Sequence, residues 1–250
     1  MKLFLFDVDG TLTPARKKIE PDMVKCLLDI SRLPDAHIGF VGGSDLKKQL
    51  EQIGEEHFYL FYWRFSENGL LSYREESCIH KRSFVEAMGE DVFKKFINVC
   101  LSVMATTDCP VKRGTFIEYR NGMLNISPIG RACSQSEREA FFEYDKQHKV
   151  RETMIKNIQK LWSETLKTID THVPSLQYSI GGEISVDVFP SGWNKTYCLQ
   201  FIEDKYDEIH FFGDRVDQGG NDYEIYNDQR VIGHRVTKYQ DTIDILQDYL

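Results

Sequence analysis

Two aspartates one residue apart, Asp7 and Asp9, close a short apolar run and lead straight into a glycine. The string is Phe4-Leu5-Phe6-Asp7-Val8-Asp9-Gly10-Thr11-Leu12-Thr13. In an extended backbone residues i and i+2 point to the same side, so both carboxylates can face one site. The chemistry that suits such a pair is magnesium-assisted phosphoryl transfer. One carboxylate can be phosphorylated as a covalent intermediate. Mg²⁺ takes oxygen ligands and bridges to a phosphate. The second acid can donate and accept a proton at the ester oxygen. A bare Asp-x-Asp is usually a solvated turn, but the apolar run before this pair and the Gly-Thr-Leu-Thr after it set it apart.

Two later stretches repeat the theme of an apolar run ending in polar groups, and a third adds an ammonium. Residues 37–41 lead into Gly42-Gly43-Ser44-Asp45, a turn that can offer backbone N–H groups and a hydroxyl to an anion. Ser44 alone reads equally well as a helix N-cap. Gly192-Trp193-Asn194-Lys195 places an ammonium at the start of a helical pattern. Phe211-Phe212-Gly213-Asp214 ends another buried run in an acid, and Gly219-Gly220-Asn221-Asp222 follows, dense in oxygen ligands. Lys195 or Asp214 alone would be a surface or turn residue. In this order they complete a phosphoryl-transfer site. Asp7, Asp214 and the Asp9 carbonyl would hold Mg²⁺, while Ser44 and Lys195 would hold the phosphoryl oxygens.

These four motifs, in this order, resemble those of the haloacid dehalogenase superfamily of phosphotransferases, and along essentially the whole chain the resemblance narrows to the eukaryotic-type phosphomannomutases. It implies that Asp7 is the nucleophile and Asp9 the general acid/base. It also implies a cation-binding loop in Tyr223-Glu224-Ile225-Tyr226-Asn227-Asp228, formed by Tyr226, Asp228 and the backbone of Val231. Arginine binds phosphate bidentately. Arg120, Arg131 and Arg138 fall within nineteen residues; by spacing alone they are as easily surface charges. The resemblance makes them ligands of the substrate's non-reacting phosphate, with Arg16 assisting, and makes Ser185 and Asp187 ligands of the sugar hydroxyls. Two departures stand out: Arg215-Val216 where Lys-Thr is common, and Asn194 where Asp is common. Neither removes a motif residue.

The elements that must position these groups follow from periodicity. Buried strands alternate with helices near both ends of the chain, which predicts an α/β fold with a Rossmann-like parallel-sheet core. Strand-like patterns are expected over 58–65 and 70–73, joined by Ser66-Glu67-Asn68-Gly69. From about residue 82 the character changes to a helix over 84–104, a hairpin at Asn121-Gly122, a capping box Ser134-Gln135-Ser136-Glu137, a helix over 151–169 and a hairpin at Gly181-Gly182. This predicts an inserted α+β cap at 82–187 in a catalytic core of 1–81 and 188–250. The cap is expected to bind substrate and to carry a dimer interface near Val92, Phe96 and Phe116.

Composition excludes other classes. Apolar residues make up 41% and charged residues 28%, as in ordinary soluble globular chains. The net charge of −8 argues against general binding of nucleic acid or an anionic membrane. The six cysteines are scattered without a Cys-x-x-Cys pair, which fits a reducing compartment. No run approaches the ~20 apolar residues of a membrane span, and the chain enters a strand with no signal peptide ahead of it. The expected location is the cytoplasm. The expected partners are small sugar phosphates and a second copy of the chain.

The function the resemblance implies is interconversion of mannose 6-phosphate and mannose 1-phosphate through an aspartyl-phosphate and a hexose 1,6-bisphosphate activator, in the supply of GDP-mannose for glycosylation. The same core residues would serve a Mg²⁺-dependent sugar-phosphate phosphatase with water as acceptor. A non-catalytic sugar-phosphate sensor is a third class, disfavoured by the intact acids. Without the resemblance the residues do not decide mutase against phosphatase, nor mannose against glucose.

Overall fold

Strand β1 (Lys2–Phe6) opens the chain and is buried on both faces from Leu3 onward, as a central parallel strand must be. After it come α1 (Pro21–Ser31), β2 (Ala36–Val41), α2 (Leu46–Ile53), β3 (Trp63–Ser66), β4 (Leu71–Arg74) and β5 (Ser77–Lys81). The middle of the chain holds α3 (Phe84–Met88), α4 (Glu90–Thr106), β6 (Ile117–Arg120), β7 (Met123–Ile126), α5 (Gln135–His148), α6 (Val150–Leu166), β8 (Leu176–Gly181) and β9 (Ser185–Pro190). Then β10 (Glu208–Gly213), α7 (Tyr223–Tyr226), β11 (Ile232–Arg235) and α8 (Tyr239–Leu246) complete it. The structure is a computed structural model and describes all 250 residues.

Met1–Lys81 and Gly192–Leu250 form one unit. Its seven-stranded sheet has the order β11-β10-β1-β2-β3-β4-β5. The five strands from β11 to β3 are parallel, and β4 and β5 extend the sheet antiparallel. Phe6 of β1 stands level with Phe40 of β2 and Phe212 of β10, so these three strands release their chains at one edge. One face of the sheet buries Phe4, Phe6, Phe40 and Phe212 with α1 and α8. The other buries Leu5, Trp63, Phe65 and Phe211 with Cys198 and Leu199. This is the α/β architecture the strand–helix alternation predicts.

Arg82–Ser191 form the second unit, with an antiparallel sheet of order β6-β7-β9-β8. Phe96 of α4 packs edge-on against Trp162 of α6, ring centroids 5.0 Å apart. The expected junction after residue 187 lies inside β9, where Val188 pairs with both Leu124 and Tyr178, so the insert runs on to Ser191. Val92 and Phe96, expected on an exposed dimer face, are buried within this unit.

Local differences from the sequence reading have local causes. The expected strand over 58–65 is strand only from Trp63; Glu55–Leu60 is a 3-10 turn that tucks Phe58 against Phe40. The expected helix over 84–104 breaks into α3 and α4 at Gly89, whose φ of +78° suits glycine alone among common residues. The helix after Asn194 is a 3-10 segment, Lys195–Phe201, and Asn194 caps it by accepting from the Thr196 N–H at 2.9 Å. The capping box at Ser134 and Glu137 forms with both of its bonds.

Candidate active site

Asp7 leaves the end of β1, and its N–H donates to the Phe212 carbonyl at 2.9 Å, locking it beside β10. Asp214 leaves β10 one residue beyond that level. Between them lies Gly10 at φ +90°, where a Cβ would come 2.5 Å from Asp214 Oδ2, so only glycine lets the two chain ends close together. Carboxylate oxygens of Asp7, Asp214 and Asp222 lie within 4.8 Å of one another. Lys195 Nζ donates to Asp7 Oδ1 and, at 2.5 Å, to Asp222 Oδ1. The Asp7, Asp222 and Lys195 side chains are 7%, 0% and 1% exposed, while Asp214 is half-buried.

Asp222 was legible only as part of an oxygen-rich turn. The fold makes it the group that fixes Lys195. Its second oxygen accepts from the Arg215 N–H at 3.0 Å, so the chain after Asp214 folds back over β10. That backbone contact is what residue 215 supplies whichever side chain it carries. A Cβ on Gly213 would come 2.8 Å from the Asp222 carboxylate, which explains the glycine before Asp214.

One ammonium among three acids leaves an excess of negative charge. Burial pushes the Asp7 carboxyl up to about 7, Lys195 opposes this, and Asp222 and Asp214 add to it. Burial would lower the Lys195 ammonium, but Asp7 and Asp222 outweigh it and the net shift is upward, so the shared proton stays on nitrogen. Burial, then Asp222, raises Asp214. Asp214 Oδ1 is buried with no hydrogen-bond partner. An orphaned carboxylate oxygen in an over-acidic, all-oxygen cluster is a fit for a hard divalent cation such as Mg²⁺, held by Asp7 and Asp214.

A cavity of about 340 Å³ opens on this cluster, lined among others by Asp7, Asp9, Arg16, Ser44, Gln52 and Asp214. Ser44 is not the cap of α2: Asp45 is, accepting from the Lys48 N–H at 2.9 Å. The Ser44 hydroxyl is thereby spared for the cavity. Asp9 is exposed, and its Oδ1 accepts from the Arg16 N–H and from Gln52 Nε2. A larger cavity of about 680 Å³ lies at the other end of β2, near Ala36 and Glu75, and contains none of the expected site residues.

The expected second cation loop is differently committed. Asp228 accepts from Arg230 Nε and Nη2, each at 2.8 Å, and from the Arg230 N–H at 3.0 Å. Its charge is already met by a bidentate guanidinium that holds it below the usual carboxylate range. Tyr226 is half-buried against the core beside Val231.

In the insert, Glu118 Oε2 accepts from Arg120 at 2.7 Å and pairs with Arg131 Nε at 3.1 Å, bringing these two arginines together. Arg131 Nη1 also donates to Asn125 Oδ1 at 2.6 Å, and Asn125 Nδ2 donates to Asp187 Oδ1 at 2.6 Å. Arg138 stands apart from this chain, paired with Glu183 at 3.7 Å. Ser185 donates to the Gly181 carbonyl at 3.1 Å. Asn125, 3% exposed and facing Asp187 across the β7–β9 pair, was missed; an Asn inside an apolar strand was its signal. So was Arg151, buried at 4%, which binds Asp145 at 2.7 Å and the carbonyls of Gly182 and Ser185 at 3.0 and 3.3 Å.

The chain is similar in sequence and in fold to known proteins. The family model described as eukaryotic phosphomannomutase matches residues 25–250. A phosphomannomutase of Schizosaccharomyces pombe is 49% identical over 96% of this chain and 91% of its own length. One from Drosophila melanogaster is 48% identical over 99% and 95%. Among solved structures, a trehalose-6-phosphate phosphatase of Aspergillus fumigatus superposes with a TM-score of 0.62 at 16% identity, over 99% of this chain and 91% of that one.

Proposed function

The chain belongs to the eukaryotic phosphomannomutase family, and from that premise we propose that it interconverts mannose 6-phosphate and mannose 1-phosphate by way of a phosphorylated Asp7. The observation that carries the reading is the cluster of buried Asp7, Lys195 and Asp222 with half-buried Asp214, opening on a cavity that Asp9 and Ser44 also line. Asp7, at the floor of the cavity, offers a carboxylate oxygen to an incoming phosphorus. Lys195 neutralises Asp7 and then the phosphoryl oxygens, and Ser44 donates to them. Asp9 gives a proton to the departing sugar oxygen and takes one from the acceptor hydroxyl. Asp7, Asp214 and the Asp9 carbonyl would hold Mg²⁺, which would neutralise negative charge at the transferring phosphoryl group.

In the insert, Arg120, Arg131 and Arg138 hold the phosphate that is not reacting, Asp187 and Ser185 meet sugar hydroxyls, and Arg16 assists from the core. A phosphate held by forked guanidiniums is gripped alike whether it hangs from C1 or C6, which a mutase requires. A hexose 1,6-bisphosphate primes Asp7. The product feeds GDP-mannose synthesis in the cytoplasm. Six free cysteines suit a reducing compartment, and no helix is long and apolar enough to cross a membrane. Dimerisation through the insert is proposed on different residues from those first expected: Leu101 and Tyr119 are large apolar side chains about half exposed.

The test is phosphorus NMR of mannose 1-phosphate with the protein, Mg²⁺ and a trace of glucose 1,6-bisphosphate. Mannose 6-phosphate should accumulate. Accumulation of free phosphate instead would make the chain a phosphatase, and no change at all would leave only a sensor.

A further inference from the structure

Asp9 is the exposed member of the acidic pair, on a loop, yet proton transfer needs its carboxylate held at one orientation. Two donors hold it, and both reach the same oxygen. The Arg16 N–H and, at 3.2 Å, Gln52 Nε2 donate to Asp9 Oδ1. Gln52 sits in the last turn of α2 and is only 8% exposed. Its main-chain carbonyl accepts from the Ile19 N–H at 2.8 Å. One residue thus ties down both the acid and the loop that bears Arg16. The amide must present its nitrogen, because Oε1 would set lone pair against lone pair on the carboxylate.

We propose that Gln52 is the positioning residue that aims Asp9 for proton transfer, a proposal that rests on the acid/base reading of Asp9. With Oδ1 taken by two N–H groups, the proton travels on Oδ2. In one half-reaction the sugar–oxygen bond to phosphorus breaks, Asp7 bonds to phosphorus, and the Oδ2 proton goes to the departing oxygen. In the other, the acceptor hydroxyl returns a proton to Oδ2 as its oxygen displaces Asp7 from phosphorus. Gln52 touches none of the reacting atoms and acts only by holding the carboxylate.

Leaving-group chemistry separates this role from a structural one. A sugar alkoxide must be protonated as it leaves; para-nitrophenolate leaves without a proton. In Gln52→Leu, with Mg²⁺ present, kcat on mannose 1-phosphate should fall about ten- to a hundredfold, the worth of one hydrogen bond to a charged group, with KM little changed. Single-turnover release of nitrophenolate from para-nitrophenyl phosphate should fall far less. Gln52→Glu, which sets a carboxylate against Asp9, should show the same selectivity more strongly, and Asp9→Asn most strongly of all. Should both esters slow equally in the Gln52 variants, or the sugar phosphate not slow at all, while Asp9→Asn remains selective, Gln52 has no positioning role. Should Asp9→Asn itself show no selectivity, the acid/base reading falls and the proposal with it.

Discussion

The charged cluster of the core and the three candidate arginines of the insert are held in opposite ways. The core buries Asp7, Asp222 and Lys195 almost completely and leaves them over-acidic. The insert keeps Arg120, Arg131 and Arg138 at 43%, 30% and 28% side-chain exposure, each held by a glutamate. Buried charges in low dielectric interact strongly and are fixed before substrate arrives, which suits the making and breaking of bonds. Half-exposed ion pairs are weak and exchange readily. Glu118 and Glu183 can therefore surrender their arginines to a phosphate at small cost. Rigid groups stand where chemistry is proposed, and exchangeable ones where a ligand must be gripped and let go.

The largest test of this contrast is Asp7→Asn. An amide cannot form the acyl-phosphate, so turnover should fall by many orders of magnitude in the phosphorus NMR assay. Because the cluster carries surplus negative charge, the same substitution should raise the melting temperature in the absence of divalent cations. A variant that keeps a tenth of the activity, or that melts lower, would mean the cluster is structural.

Next comes the insert's own buried pair. Removing Arg151 by Arg151→Met leaves Asp145, 7% exposed, without its partner and frees the β8–β9 carbonyls. The expected cost is about 3–5 kcal/mol, read from urea denaturation. A loss within about 1 kcal/mol would show that a buried pair can be as exchangeable as the insert's half-exposed ones, and the contrast would fail.

Smaller again is Arg131→Ala. It should raise KM for mannose 1-phosphate about tenfold or more and increase hydrolysis per isomerisation, while phosphorylation of Asp7 by the bisphosphate persists. An unchanged partition with normal KM would reduce the arginines to surface charges.

The smallest effect lies at the sheet edge. Burial and then His210 push the His234 imidazole down to about 4, and burial lowers His210 as well. His210 Nε2 donates to Glu208, so its Nδ1 accepts from His234 Nε2 at 3.0 Å and both rings are neutral in the fold. An unfolded histidine titrates near 6.5. The stability this pair contributes is therefore present above about pH 6.5 and lost as pH falls toward 4. Thermal melts from pH 7.5 to 4.5 should fall less steeply for His234→Gln than for the parent chain.

What was legible in the sequence followed burial along single strands. Asp7, Ser44 and Asp214 each end an apolar run, and such runs stop at the carboxyl edge of the sheet, so the convergence of these ends could be read without coordinates. Asp222 could not. Its burial arises because the chain after Asp214 folds back over Gly213, a tertiary event with no local periodicity. Gln52 looked like an ordinary polar helix residue, since its partner Asp9 lies forty-three positions away. Arg151 read as the start of an amphipathic helix. Its role depends on the β8–β9 hairpin arriving beneath it. The Ser44 and Asp45 hydroxyl and carboxylate are equally good caps by type, and only backbone geometry chose Asp45.

The order of the strands also governs how the protein is made. β1 pairs with β10 across almost the whole chain, and Lys195, Asp214 and Asp222 all follow the insert. During synthesis the insert emerges complete, with both edges of its own sheet defined, while one flank of β1 still lacks its neighbour. Until β10 arrives, an apolar strand ending in Asp7 presents an unpaired edge, the kind that joins other chains. Asp7 and Asp9, set at the end of that strand, place two charges beside that edge, and the four-residue cluster cannot form until Asp222 has been made.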